Sequence, residues 1–366
     1  MSSLRSQATE RDTDGAPLRA ANDYAYYPGC SLHGTSREFD ESLRAVAAEL
    51  RVGLTEVTDW SCCGASSGHT TDHLLGVALP ARNLALAEAQ GFSSVLAPCA
   101  ACYNRLSAAR LAVAEEEGMA ERIPEILGRA FSNSVEVRNA VELLRDAGAE
   151  IEEKLAAALA TAPNPIEGVK LASYYGCLLV RPFEVCGYDD PEQPTSMDDV
   201  VRACGGEPVD WDMKVECCGG SFSVSRTASV LRLGRSIIEN ARAHGAEAIV
   251  VACPLCHSNL DLRQKAAVER GAEPMPILFI TQVAGLALRL SPVELGLTRH
   301  FVDTEPFLAD LLRRATARVE EEKKLQIEAA AKAAARAEKQ KVAAAAAAGG
   351  GAAPAADPAP DAGGEA

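Results

Sequence analysis

The sequence predicts an α/β protein made of two copies of one domain, each a small, mainly parallel sheet flanked by helices. Two observations carry this. Ten of the twelve cysteines fall into two copies of a five-cysteine pattern. The first copy is Cys30, then Cys62-Cys63-Gly64, then Cys99-Ala100-Ala101-Cys102; the second is Cys177, then Cys217-Cys218-Gly219, then Cys253-Pro254-Leu255-Cys256. A rare residue recurring at near-equal spacing marks an internal duplication. In addition, strand-like and helix-like segments alternate in the same order in both halves, the pattern of parallel strands joined by helical crossovers.

The elements follow in order. Residues 1–22 are polar and charged and read as a disordered leader without the apolar core of a signal peptide. The first domain is expected over residues 23–160. Residues 24–27 read as a short strand ending at Pro28-Gly29-Cys30. Residues 37–50 read as a helix with Phe39, Leu43, Val46 and Leu50 on one face. A second strand at 54–57 leads into Trp60-Ser61-Cys62-Cys63-Gly64. A helix at 74–90 precedes a third strand at 93–97, which runs into Pro98-Cys99. The stretch 115–160 is charged and reads as helical, and Thr161-Ala162-Pro163-Asn164-Pro165 marks a linker.

The second domain, expected over 166–305, repeats these events. A strand at 169–175 ends at Gly176-Cys177, and a helix covers 197–203. Residues 211–216 lead into the second cysteine pair, a long helix covers 226–244, and an apolar strand at 248–252 delivers Cys253. Every candidate ligand thus sits at the C-terminal end of a predicted strand, where ligands collect in open parallel sheets. Two such halves facing each other about a pseudo-two-fold axis would turn both sites toward one cleft. Residues 306–348 form a charged, Ala-rich helical tail, and 349–366 contain only Gly, Ala, Pro and acidic residues and read as disordered.

The chain has 366 residues, 48% of them hydrophobic, enough for two cores. A net charge of −15 argues against nucleic-acid binding, which needs clustered cations. The most apolar run, 276–290, is interrupted by Thr281 and Gln282 and falls short of the roughly 18 residues of a membrane span. A cytoplasmic setting is expected, and there grouped cysteines bind metal or do redox chemistry rather than form structural disulfides.

Five thiols per copy exceed the four of a tetrahedral zinc site, and the excess points to a polynuclear iron–sulfur cluster. A CxxC opening a helix puts two thiols on one side of the first turn, where free N–H groups favour thiolate. Adjacent cysteines point in different directions and can engage two irons. Taken singly, either CxxC is also compatible with zinc or a thioredoxin-like dithiol; the repetition and the paired cysteines favour the cluster. Cys186 and Cys204 have no counterpart in the first half and read as buried free thiols. Among the histidines, His33 follows Cys30 by three residues, His257 directly follows Cys256, and His69 and His73 follow the first cysteine pair. Polar or packing roles are expected for all four, with His33 and His257 also candidates to protonate a released thiolate.

The stretches Tyr27-Pro28-Gly29-Cys30, Trp60-Ser61-Cys62-Cys63-Gly64, Ala97-Pro98-Cys99-Ala100-Ala101-Cys102, Tyr175-Gly176-Cys177, Glu216-Cys217-Cys218-Gly219 and Cys253-Pro254-Leu255-Cys256 resemble the CCG-domain proteins, most closely the B subunits of heterodisulfide reductases. Arg181-Pro182 and the segment 276–282 match as well, so the resemblance covers residues 26–303.

The resemblance implies two non-cubane [4Fe-4S] clusters facing a disulfide-binding cleft. Cys30, Cys62, Cys63, Cys99 and Cys102 would hold one, and Cys177, Cys217, Cys218, Cys253 and Cys256 the other; zinc at one site is the alternative. It implies an oxidoreductase that reduces a small or carrier-bound disulfide to two thiols, or runs the reverse. Its partners would be the ferredoxin-like C subunit and the flavin-containing A subunit of the same complex. The chain lacks a ferredoxin-type cysteine run of its own, so electrons must pass to or from another polypeptide. Two other readings stay open: an electron-relay subunit of a lactate- or succinate-type oxidoreductase, and a zinc-stabilised scaffold.

Overall fold

A computed structural model describes residues 22–65, 67–159, 162–269 and 271–348. The predicted leader up to residue 21 and the predicted disordered tail, 349–366, lie outside the described residues. The chain divides into a unit ending at Ala315, which holds every candidate ligand, and a unit beginning at Thr316. Within the second unit the described residues are helical, the continuation of a helix Glu305–Ala348, and every side chain from 320 to 344 is exposed.

The first sheet contains β1 (Asp23–Tyr26), β2 (Gly53–Glu56), β3 (Ser94–Leu96) and β4 (Glu136–Arg138) in the order β2-β1-β3-β4. The second contains β5 (Lys170–Tyr174), β6 (Glu207–Pro208), β7 (Ala248–Val251) and β8 (Ile277–Phe279) in the order β6-β5-β7-β8. All pairings are parallel and the two orders are the same. In each sheet the order reverses between the first and third strands, so the loops leaving β1 and β3, or β5 and β7, diverge and open a crevice at the carboxyl end. The central strands read as continuous apolar runs because both faces are covered: Ala-Ile-Val-Val of β7 is wholly buried. Pro208 is tolerated in β6 because that strand is an edge.

Two expectations change. The stretch 115–160 is not helical throughout: β4 lies in it, and Val137 is buried while Glu136 and Arg138 make the segment look charged. Residues 211–216 contain no strand; the strand feeding the second cysteine pair lies earlier, at β6, pinned by the pairing Lys170↔Glu207.

The halves exchange helices reciprocally. Helix Arg37–Glu49 of the first packs against helix Ile280–Ala287 of the second, and Ser196–Ala203 of the second against Ala140–Asp146 of the first. A buried hydrogen bond of 2.7 Å between the Ser42 and Thr281 hydroxyls and the stacking of Phe39 on Phe279 at 4.2 Å fasten the first pair. The two helices that follow β4 and β8 start on related devices: Asn139 and Glu142 form a capping box, and Gln282 Oε1 accepts the Phe279 N–H at 2.8 Å.

Candidate metal centre

Each cysteine set is assembled from three loops that leave the carboxyl ends of three strands. The loop after β1 turns at Gly29 with φ +65°, and a Cβ there would stand 2.9 Å from the Cys102 sulfur. The loop after β5 turns at Gly176 with φ +66°, and a Cβ would stand 3.1 Å from the Cys256 sulfur. Glycine is required twice over, for the left-handed backbone and for the closeness of the sulfur.

The paired cysteines are held from behind. Tyr27 donates its hydroxyl to the Ser61 carbonyl at 2.7 Å, and Tyr174 donates to the Glu216 carbonyl at 2.6 Å. Ser61 and Glu216 are the residues just before Cys62 and Cys217, so the two tyrosines do the same job in the two halves. Asn83 grips Ser61 on both sides, accepting its N–H at 2.8 Å and donating to its carbonyl at 3.0 Å. Asn259 donates to the Cys218 carbonyl at 3.1 Å. The N–H of Gly64 points at the Cys62 sulfur at 3.5 Å, and that of Gly219 at the Cys217 sulfur at 3.3 Å. Cys99 and Cys253 occupy the N-cap positions of helices Ala100–Glu115 and Pro254–Leu260, as the CxxC reading expected.

The sulfurs crowd without bonding. Cys63 and Cys102 lie 3.4 Å apart, Cys218 and Cys256 3.5 Å, and Cys177 and Cys217 3.9 Å, against about 2.05 Å for a disulfide. All twelve cysteines are free thiols. Cys30, Cys62 and Cys217 are exposed, Cys177 is half-buried, and the remaining six of the two sets are buried. The two sets adjoin across the halves, and Cys99 and Cys253 shift each other's ionisation. A cavity of about 50 Å³ lies on the second set, walled by its five cysteines and, from the first half, Ala100.

So many thiols in one place cannot all ionise. Hydrogen bonds from Cys102 and then Cys62 pull Cys63 down to about 3, and a hydrogen bond from Cys177 pulls Cys217 down to about 6. Bonds from Cys256 and Cys99 hold Cys253 well below the ordinary thiol value. Their partners move the other way. Cys62 is driven up by its bond to Cys63, Cys102 by its bond to the same sulfur, and Cys256 by its bond to Cys218. Cys102 donates to Cys99 and lowers it, but the bond Cys99 gives to Cys253, together with burial, outweighs this and raises it. Protons here stand where cations would stand, so metal uptake must release them. The all-sulfur donor sets, the free buried thiols and the space kept clear by Gly29 and Gly176 fit an iron–sulfur group.

The histidines divide. His33 lies near the first set, its ring edge-on to Trp60 at 5.2 Å and its Nε2 3.1 Å from Glu56. His257 is buried and stacked on Phe279 at 4.4 Å, with Nε2 3.4 Å from His300 and Nδ1 3.7 Å from Glu38. Burial keeps it well below the ordinary histidine value and His300 down to about 4, so both rings are neutral. His69 and His73 line a separate cavity.

Sequence reasoning missed the residues that lock the halves together. Tyr103 donates to the Cys186 carbonyl at 2.9 Å, and the buried Asn104 donates to the carbonyls of Arg181 at 2.8 Å and Leu178 at 3.2 Å. Cys186 and Cys204 are buried thiols, raised by burial to about 11 and about 12. Tyr27 and Tyr174 had a usable signal, since each stands two residues before the left-handed glycine, at the same offset in both repeats.

The model of the cysteine-rich CCG domain matches this chain twice, over residues 24–107 and 171–261. The chain is 31% identical to the 8-methylmenaquinol:fumarate reductase membrane anchor subunit of Wolinella succinogenes over 77% of this chain and 97% of that one. It is 30% identical to the B subunit of the ferredoxin/F420H2-dependent CoB-CoM heterodisulfide reductase of Methanosarcina acetivorans over 78% and 95%.

The chain belongs to the CCG-domain family that includes the heterodisulfide reductase B subunits. Both of these relatives are named as subunits of reductases, and the cysteine-rich domain supports an iron–sulfur oxidoreductase subunit. A solved structure of a hypothetical protein from Helicobacter pylori shares the fold, with a TM-score of 0.61 at 14% identity over 78% of this chain; this chain spans about half, 52%, of that one. Among the described residues of this CCG-family chain, no helix is long and apolar enough to cross a membrane.

Proposed function

We propose that this chain is the catalytic subunit of a heterodisulfide-reductase-like complex, acting on a disulfide or on the two thiols it yields. The observation that carries this reading is that the two five-cysteine sets adjoin: Ala100, next to Cys99 of the first set, lines the cavity walled by the five cysteines of the second. A substrate with two adjacent sulfurs is the smallest molecule that can address both sets at once. The reaction takes two electrons and two protons per disulfide cleaved.

Each set would hold one non-cubane [4Fe-4S] cluster: Cys30, Cys62, Cys63, Cys99 and Cys102 in the first half, and Cys177, Cys217, Cys218, Cys253 and Cys256 in the second. Bound there, the clusters supply single-electron storage beside sulfur. The chain's own residues fix the geometry. Tyr27 and Tyr174 hold the paired-cysteine loops, the Gly64 and Gly219 N–H groups favour thiolate, and Asn104 and Tyr103 keep the halves in register. His33, at the rim of the first set, can pass protons between a product thiolate and water, whereas His257 is engaged in packing. Electrons would arrive from a ferredoxin-like partner, the C subunit, fed by a flavin-containing one, the A subunit.

A second reading is an electron-carrying subunit of a quinol:fumarate-type reductase, favoured by the 31% identity to the Wolinella protein over nearly its whole length. Iron and zinc analysis with electron paramagnetic resonance on anaerobically purified protein separates the possibilities. About eight irons per chain, with a signal altered by a thiol, supports disulfide chemistry. Eight irons with a signal indifferent to every thiol tried would move the assignment to the quinol-type complex. Zinc in one half would leave one set structural.

A further inference from the structure

Helices His73–Ala89 and Ala100–Glu115 pack side by side in the first half, and beside them lies a cavity of about 270 Å³ that contains no candidate cluster ligand. Its floor is apolar and made of small side chains, Val77, Ala109 and, from the other half, Val185. Its polar groups are Arg105, His69 and His73, with Glu115 and Glu116. Gly76 brings the short helix Gly68–Thr71 down onto the longer one: a Cβ there would stand 2.8 Å from the His69 Cα. That close approach fixes His69 at the cavity.

Arg105 is the unusual residue. Its guanidinium is half-buried, donates to Asn104 Oδ1 at 2.8 Å, and pairs with no carboxylate among the described residues. Burial lowers its pKa, with Cys63 acting in the opposite sense. With one N–H given to Asn104, the guanidinium has further N–H groups to offer a molecule in the cavity. Glu115 and Glu116 share the site, Glu116 bonded to His73 at 2.8 Å, and they oppose a multiply charged anion. A neutral molecule with an apolar body and acceptor oxygens fits the apolar floor and the Arg105 donor. At 270 Å³ the space is at the lower limit of ordinary ligand cavities, roughly 300 Å³ and upward, which suits a ring-sized head group. Leu75 and Phe183, neighbours in sequence of the lining residues, are 40% and 53% exposed and offer an apolar approach.

We propose that this cavity is a binding site for a quinone head group, its ring lying on Val77, Ala109 and Val185 and a carbonyl oxygen accepting from Arg105. The proposal deepens the quinol-type reading and rests on it. Binding of 2,3-dimethyl-1,4-naphthoquinone, whose substituted ring cannot be alkylated by thiols, to the full-length chain purified anaerobically tests it by calorimetry. Arg105→Gln is expected to weaken binding about tenfold, the worth of one hydrogen bond from a charged donor. Ala109→Phe is expected to abolish it by filling the floor, and Val77→Ile, a milder filling, should weaken it should Ala109→Phe not fold. 2,3-Dimethylnaphthalene, the same shape without oxygens, should bind at least tenfold more weakly than the quinone.

No quinone binding by the wild-type chain overturns the proposal, as does equal affinity for the oxygen-free analogue or undiminished binding by Arg105→Gln. Iron content of the same preparation is read separately. A fully iron-loaded chain that ignores the quinone overturns the cavity assignment and leaves the cluster reading intact. A chain without iron that still binds it keeps the cavity and overturns the clusters.

Discussion

The two halves are alike up to their cysteines and differ just after them. Both sheets have the same strand order, both first loops turn at a left-handed glycine against a CxxC sulfur, and both paired-cysteine loops hang from a tyrosine hydroxyl. After Cys102, however, the first half continues with Tyr103 and Asn104, which grip carbonyls of the second half. After Cys256 the second half continues with His257, a neutral ring stacked on Phe279 and set against Glu38 of the first. One side of the joint is thus held by donors to backbone carbonyls, and the other by stacked rings with the Ser42–Thr281 hydroxyl pair beside them. The duplicated parts are those that shape a cysteine set, and the unlike parts are those that join the sets. Selection on a duplicated scaffold can vary the joint and the neighbouring cavities while the ligand geometry is kept.

The sharpest test of that likeness is to remove one thiol from each half. Cys63→Ala and Cys218→Ala should each cost about half the iron, roughly four atoms per chain, and abolish disulfide turnover; unequal losses would show that the halves hold different groups. Next in size, Asn104→Leu strips two buried carbonyls of their donor, and denaturant unfolding should report a loss of about 2–3 kcal/mol. The glycine pair comes third. Gly29→Ala and Gly176→Ala each force a residue into left-handed backbone, for about 1–3 kcal/mol, with Gly29→Ala the worse because its Cβ would approach sulfur more closely.

The stacked side of the joint predicts a pH dependence. Burial raises the Glu38 carboxyl from 4.5 to about 7, so between those values the folded chain holds a proton that the unfolded chain has released. Stability therefore falls as pH rises through that window. Asp261, raised by burial from 3.8 to about 6, acts in the same sense. Glu38→Gln should reduce the fall in unfolding free energy between pH 5 and 7.5 by about 1–3 kcal/mol, and a fall unchanged in that variant would assign the effect elsewhere. The smallest effect is expected at Cys186→Ser, which should leave iron content untouched; loss of iron there would place that thiol in a ligand set.

Much of this was legible in the chain. Strands β1, β3, β5 and β7 announce themselves as short apolar runs ending at a cysteine, and the five-cysteine repeat names the candidate ligands without help from structure. Strand β4 was hidden because only Val137 of its three residues is apolar, and β6 because it is two residues long and contains a proline; pairing with a neighbour, not local pattern, makes them strands. Tyr103 and Asn104 were hidden for a different reason. Their partners lie in loops remote in sequence, and no periodicity records which loop a buried amide will find.

The Ser42–Thr281 hydrogen bond joins residues separated by 239 positions. A nascent chain exposes the apolar face of helix Arg37–Glu49 from early in synthesis until Ile280–Ala287 emerges to cover it. Domains usually complete themselves as they leave the ribosome; here one face of a first-half helix must wait for a segment 239 residues further along the chain. Under the proposed cluster assignment, filling of the first cysteine set would wait for that later segment, and a product truncated before it would present the set open and unfinished.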